Sequence, residues 1–435
     1  MTKIILALIA CMAVLPSANA ALNADEIDRA AEAVQPQVVE WRRWFHQNPE
    51  LSNREFNTSA KIAEILREMG LEPQTGIAHT GIVAFIEGGQ PGPLVAIRTD
   101  IDGLPVEEQT GLPYASTARS EYNGQDVGVM HACGHDAHMA MVLGAAKILN
   151  DMKDDLNGSV MLIFQRAEEG PPVGEDGGAS MMLDEGIFEE RMPEAVFGMH
   201  VGISTPGGQF SVKPGPMMAA SDGFKIVVKC KQTHGARPWD GVDPVVVSSQ
   251  IVVGLQTIAS RQVDVTLAPS IISVGRITGG VSYNVIPDDV TMEGTIRTFD
   301  PDMREYIHQA IERTASLIAE SAGAQVEVEI YQGPPAVNNN AELTSLVMPA
   351  LERASGKPVL SIPPQTVAED FSEYGAVTPA VFIFLGNWPE EMDPSEQPTN
   401  HSPYFHMHEP YMERGVKAYG HMVMDFLNSR GSAKE

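Results

Sequence analysis

Met130-His131-Ala132-Cys133-Gly134-His135-Asp136-Ala137-His138 is the densest run of chemistry-bearing side chains in the sequence. Cys133 and His135 are two positions apart, so they cannot share a helix face but can converge from a loop. A thiolate and an imidazole suit zinc or a similar divalent ion. Two other readings fit the same run: a helix start with core histidines, or Cys133 as a nucleophile paired with His135 or His131. A second signal is Phe164-Gln165-Arg166-Ala167-Glu168-Glu169-Gly170, where two carboxylates leave an apolar strand and can divide labour, one on a metal and one free as a base. A third is His200, closing the apolar run 195–200, and a fourth is Asn400-His401-Ser402-Pro403, near His406 and His408. Each is ordinary alone. Together they put His, Cys and Glu at successive strand ends, where open α/β sheets place their ligands.

The elements that must position these residues follow from the apolar spacing. Residues 27–70 have helical periodicity, with a capped start expected at Asn57. Short apolar runs at 82–86, 94–97, 159–164, 195–200 and 380–385, with a helix over 136–150, predict an α/β catalytic domain with a helix-covered, mainly parallel sheet. Residues 219–333 have another rhythm, strand 224–231, helix 243–260, strands 271–277 and 291–298, helix 301–322 and strand 325–331. This β-α-β-β-α-β order predicts an inserted ferredoxin-like α+β domain. The expected division is therefore a discontinuous catalytic domain, 21–218 with 334–435, interrupted by a smaller one over 219–333, with a substrate cleft at the junction.

Composition narrows the function classes. Twenty-nine basic residues against 57 acidic ones leave a formal net charge of −28, the wrong sign for a protein that neutralises nucleic-acid phosphates. Hydrophobic residues make up 43% of the chain, enough to bury a large core. Residues 1–20 read as a secretory signal peptide: Lys3, an apolar run too short to span a bilayer, then Ser17-Ala18-Asn19-Ala20. Cleavage after Ala20 predicts export, to the periplasm of a double-membrane bacterium, and no membrane insertion of the mature chain. It would leave two cysteines, Cys133 and Cys230, too few for a disulfide scaffold.

In order along the chain stand Arg98-Thr99-Asp100-Ile101-Asp102-Gly103-Leu104-Pro105, the His131–His138 run, the Glu168-Glu169 run, Gly198-Met199-His200, His234-Gly235-Ala236-Arg237-Pro238, Tyr283-Asn284-Val285-Ile286-Pro287-Asp288, Gly294-Thr295-Ile296-Arg297 and His401-Ser402-Pro403. This set resembles the two-metal aminoacylase and carboxypeptidase-type amidohydrolases, in the branch of hippurate hydrolase and the indole-acetyl-amino-acid hydrolases. The resemblance implies Cys133, His135, Glu169, His200 and His401 as ligands of two divalent ions, with Cys133 bridging; zinc leads, with manganese, cobalt or nickel as alternatives. It implies Glu168 as general base, and His234, Asn284 and Arg297 as groups that hold the substrate. The implied substrate is a small N-acyl amino acid or short peptide with a free carboxylate. The implied assembly is a homodimer through the inserted domain, with His234 reaching the partner's site.

Asp100 and Asp102 are candidates to orient a ligand histidine or to shape a turn. Two residues depart from the family pattern: Trp239 follows Pro238 where His is usual, and Arg166 stands where the branch commonly has Pro. Both bear on the pocket and leave substrate preference open. Rival functions are an aminopeptidase or dipeptidase on the same fold, which would need an acidic group to meet a substrate ammonium, and a non-catalytic metal-binding protein, which would have no use for Glu168.

Overall fold

The computed structural model describes residues 23–202 and 204–431. The leader expected over 1–20 lies outside them. Asn23 caps the first helix, Ala24–Gln47, by accepting from the Asp25 amide. Its buried residues Ile27, Ala31, Val34, Val38, Trp41 and Phe45 recur every three or four positions, the stripe a core-facing helix needs. The second helix, Phe56–Glu68, corrects the expectation at Asn57. Its cap position is Glu55, whose carboxylate does not cap the helix but accepts from Thr80 Oγ1 and the Ala167 amide. Asn57 Nδ2 and the Thr58 amide donate instead to the Glu50 carboxylate, at 2.7 and 2.8 Å. An upstream acid has taken the role that a capping oxygen would have filled.

The large sheet has seven strands in the order Gln74–Ile77, Gly81–Glu87, Asn157–Gln165, Gln90–Asp100, Ala195–Gly202, Ala380–Gly386, Phe210–Ser211. The middle four run parallel and the outer pairings are antiparallel. Parallel strands buried on both faces read as continuous apolar runs, which is why these were visible in the sequence. Helices Ala24–Gln47, His135–Asp151 and Met412–Gly431 pack on one another, and the last two also pack on the central strand Gln90–Asp100. Because the middle strands are parallel, Asp100, Gln165 and Gly202 all end at one edge, so the segments that follow them meet there.

A second sheet is wholly antiparallel, in the order Ser270–Thr278, Asp289–Thr298, Ala220–Lys229, Gln325–Tyr331. Helices Pro244–Thr257 and Pro301–Ala322 pack on it and on each other. Asp300 caps the longer helix at the Met303 amide, Pro301 opens it, and Gly323 at φ 76° closes it. That punctuation explains why its ends were readable residue by residue. This sheet and its helices have their own apolar core, from Ala219 to Ala319, separate from the core around the large sheet. Asp222, just inside this unit, accepts from Arg304 Nε at 2.9 Å and from the Gly333 amide at 3.1 Å, and lies 2.8 Å from His308 Nε2. One buried carboxylate thus binds the entering and leaving strands together. A two-residue ladder, Thr233–His234 against Val285–Ile286, brings His234 beside Asn284, whose carbonyl accepts from the Gly235 amide at 2.8 Å.

Two separate cores imply that damage to one need not reach the other. Ile307 is fully buried in the smaller core. Ile307→Ala should cost about 2–5 kcal/mol in denaturant unfolding of that unit. Metal bound per chain, measured on the folded protein, should be unchanged; loss of metal would show that the two units fold as one.

Candidate metal centre and cleft

Helix His135–Asp151 starts at Gly134, which has φ 99° and offers no capping side chain. A Cβ there would lie 2.4 Å from Val201 Cγ2, so only glycine fits this turn. The turn puts ligand atoms of its two flanking residues, Cys133 and His135, within 4.8 Å of each other and of His200. His200, two residues before the end of strand Ala195–Gly202, lies 3.3 Å from Cys133 Sγ, measured at Nε2. His401 approaches from the other side, its Nε2 3.2 Å from the same sulfur. Its backbone is left-handed at φ 69°, held where the His401 amide donates to Ala132 O at 2.8 Å and Asn400 Nδ2 donates to Cys133 O at 3.0 Å. Glu169 Oε1 completes the group, 3.2 Å from His401 Nε2 and 3.8 Å from His135 Nε2. Two ligand sets therefore share one sulfur: Cys133 with His135 and His200, and Cys133 with Glu169 and His401.

The residues present fit a cation. His135 Nε2 and Glu169 Oε1 are buried with no hydrogen-bond partner among the described residues, a costly state that a shared metal removes. Burial, then the Glu169 and Glu168 carboxylates, push the Cys133 thiol well above its ordinary pKa. A thiolate here needs positive charge beside it, and a divalent ion supplies that. Burial holds His200 well below the usual histidine range, so the ring is neutral. Its Nδ1 is 2.7 Å from Val201 O, which fixes the tautomer that leaves Nε2 free. Burial disfavours a proton on His135, but Asp100 and Asp102 outweigh it and raise the group to about 10. A metal at Nε2 would take that proton's place.

Around these ligands lies a shell of buried polar groups. Asp102 receives His135 Nδ1 on its backbone oxygen at 2.9 Å, and its Oδ2 accepts from Ser52 Oγ at 2.6 Å and from the Glu169 amide at 3.1 Å. The orienting role considered for Asp102 thus has its geometry. Asp100 Oδ1 instead lies 2.7 Å from His138 Nδ1, and His138 Nε2 accepts from the Val201 amide at 2.9 Å, which anchors the strand bearing His200. Fully buried Arg98 binds Asp100 at 2.9 Å, Glu369 at 3.0 Å and Asp370 at 2.9 Å. Burial, followed by Glu369 and Glu169, pushes the Glu168 carboxyl well above the ordinary range.

All of this opens on a cleft of about 1070 Å³. Its lining includes Cys133, Glu168, Glu169, His200 and His401 and also Arg297 of the antiparallel sheet. Arg297 Nη1 donates to Ile296 O at 3.0 Å and to Thr295 Oγ1, and has no carboxylate in ion-pair range among the described residues. His234 and Asn284 do not line this cleft; both are exposed on their small ladder. The rings of His406 and His408 pack against Trp388 and Tyr411. His131 is buried without a hydrogen-bond partner among the described residues. Sequence reasoning missed Glu369 and Asp370, whose one signal is an adjacent acidic pair, and missed Ser52, which carries none.

The profile of Peptidase family M20/M25/M40 matches residues 96–425. The chain belongs to that family. The chain is 40% identical to an N-acetyl-L-cysteine deacetylase of Bacillus subtilis over 81% of each chain. It is 38% identical to thermostable carboxypeptidase 1 of Saccharolobus solfataricus, over 93% of this chain and 99% of the relative. In three dimensions it resembles the Bacillus subtilis YXEP protein, described as a dinuclear metal-binding peptidase from the M20 family, with TM-score 0.77, 33% identity, and coverage of 92% and 99%. As a member of peptidase family M20/M25/M40, this chain is a metal-dependent amide hydrolase. Its central, mainly parallel sheet is the fold of that family. Among the described residues no helix is long and apolar enough to cross a membrane.

An alanine at 102 would keep the backbone bond to His135 but remove the Asp102 carboxylate, whose Oδ1 lies 3.3 Å from His135 Nδ1, and that gives a direct expectation. Asp102→Ala should weaken metal binding about 10- to 100-fold in competition with a chromophoric chelator. Unchanged affinity would reduce Asp102 to a turn residue.

Proposed function

We propose that the protein hydrolyses the amide bond of N-acyl or N-aroyl amino acids, or of small peptides with a free carboxylate. Arg297 carries the reading: a guanidinium with no carboxylate paired to it among the described residues, lining the same cleft as Glu168 and the clustered candidate ligands. A fork of donors suits a substrate carboxylate. An aminopeptidase would instead need an anion where the substrate ammonium sits. The names of the deacetylase and carboxypeptidase relatives support the same class.

In this reading Cys133, His135 and His200 hold one divalent ion, and Cys133, Glu169 and His401 hold the other, zinc being the first choice and manganese, cobalt or nickel compatible. When bound, such ions supply Lewis acidity that makes water a stronger acid and polarises a carbonyl. Glu168, buried beside Glu369 with a raised pKa, takes the proton of the attacking water and passes it to the leaving amine. Its neighbours Glu369 and Asp370 both pair with Arg98, which offsets part of the negative charge around Glu168. The carboxylates around Cys133 oppose the free thiolate that a cysteine nucleophile requires, so the thiol serves as a ligand.

Two active pieces lie outside the cleft of one chain, and a homodimer supplies them. Strand Ser270–Thr278 is a sheet edge, with Ile271 and Ile277 exposed. Nearby on the same unit Trp239, Val281 and Tyr283 are also exposed. Pairing two such units would cover this apolar surface and carry His234 and Asn284 to the partner's cleft, to stabilise the oxyanion. Residues 1–20 direct export, and the mature chain acts as a soluble periplasmic enzyme.

Wild-type protein with added zinc, manganese, cobalt or nickel should cleave N-acetyl, N-benzoyl and indole-acetyl amino acids; failure on all of them would sink the substrate class. Arg297→Ala should raise KM strongly for these substrates and much less for the corresponding amino-acid amides. Glu168→Gln should keep its metal and lose about 10² to 10⁴ in turnover, whereas Glu169→Gln should lose metal first. The reverse pattern would exchange the two roles. Mixing inactive His234→Ala with inactive Glu168→Gln chains should restore partial activity in verified heterodimers, because one site then has both groups intact; no restoration would confine His234 to its own chain.

A further inference from the structure

The cleft wall beside Glu168 is the loop 170–177, which contains Gly170 at φ 93°, Pro171, Pro172 and Gly174 at φ 89°. Its own backbone holds it poorly: within it, the Glu175 amide donates to Pro172 O at 3.1 Å, and Val173 is 89% exposed. Gly170, Pro171 and Gly177 nevertheless face the cleft. Something beneath must fix them.

That support is Arg166, at the exit of the strand that delivers Glu168. Its side chain is fully buried, yet it has no carboxylate in ion-pair range among the described residues and its Nε is unpartnered. Burial alone pushes its pKa down from the ordinary arginine value. Its acceptors are all neutral: Asn53 Oδ1, Met181 Sδ, and Asp176 O at 3.3 and 3.4 Å from the two terminal nitrogens. Asn53, at φ 65°, carries the link upward, its Nδ2 donating to Glu175 Oε2 at 2.8 Å and to Asp176 O at 3.1 Å. Arg54 adds a fork on Glu175, at 2.6 and 3.0 Å. Glu55, Glu185, Asp102 and Asp370 act on it only from beyond ion-pair range, and burying a guanidinium without a directly paired anion costs stability. What it secures in return is the loop.

We infer that Arg166, acting through Asn53 and Asp176, is a positioning residue that sets loop 170–177 as the acyl-side wall of the cleft and thereby selects which acyl groups fit. The inference rests on the amidohydrolase reading: a substrate held by its carboxylate at Arg297, with its amide at Glu168, must direct its acyl group away from Arg297, toward this loop. Arg166 touches neither substrate nor metal ligand.

The test is Arg166→Met and Arg166→Lys, with three readouts: kcat and KM for N-acetyl and N-benzoyl forms of one amino acid, metal content, and hydrogen exchange over 170–178. Arg166→Met should shift the acetyl-to-benzoyl ratio of kcat/KM by about tenfold or more, mainly through KM. Exchange over 170–178 should be about tenfold faster or more, because a local opening has become easier. Metal content should stay as in wild type, and Arg166→Lys should recover part of both effects. An unchanged ratio or unchanged exchange would overturn the inference. If Arg166→Met does not fold, Glu175→Ala breaks the same latch from its solvent side and should act in the same direction; no effect there overturns the inference equally. Wild type that cleaves neither form would overturn the substrate reading itself, while the exchange comparison would still decide whether Arg166 holds the loop.

Discussion

Cys133 Sγ lies within 3.3 Å of both His200 and His401, Glu169 Oε1 lies 3.2 Å from His401, and His135 Nε2 and Glu169 Oε1 are buried with no hydrogen-bond partner among the described residues. Left to themselves these groups are a destabilising collection. Desolvation raises the thiol and lowers the His200 ring, and the carboxylates add negative charge with little water to screen it. Only a cation makes the arrangement favourable. The remaining structure is best understood as the apparatus that keeps these groups together long enough to meet one.

Each candidate ligand is tied to backbone or to a buried acid as well as to its neighbours in the cluster. Gly134 turns the chain so that Cys133 and His135 converge, Asp102 fixes the His135 ring, Val201 O orients the His200 ring, and the His401 amide is tied to Ala132. The parallel strands bring these tethers to one edge of the sheet, an arrangement that follows from topology before any side chain is considered. Arg98 performs a related task one layer out, collecting Asp100, Glu369 and Asp370 so that part of the extra negative charge beside Glu168 is offset. The antiparallel unit then closes the cleft with Arg297, its entry and exit strands pinned by Asp222.

The parts legible in the sequence are those encoded locally. Apolar runs marked the parallel strands, Asp300-Pro301 and Gly323 marked a helix at both ends, and reactive side chains at strand ends marked the cluster. What sequence could not supply were pairings between distant segments. Asn57 has the composition of a helix cap, and only the folded position of Glu50 shows that it donates to an acid instead. Nothing local to Glu369 and Asp370 points to Arg98, some 270 residues away. Arg166 was visible as a departure from a motif, but its partner Asn53 stands 113 positions upstream and could be found only in three dimensions.

The central claim is that Cys133 ligates metal through sulfur, and the absorption spectrum of cobalt-substituted protein reads that bond directly. The wild-type protein should show a thiolate-to-cobalt charge-transfer band in the near ultraviolet that grows in with bound cobalt, and Cys133→Ser should lack it. Stoichiometric cobalt binding by the wild type with no such band would contradict the account.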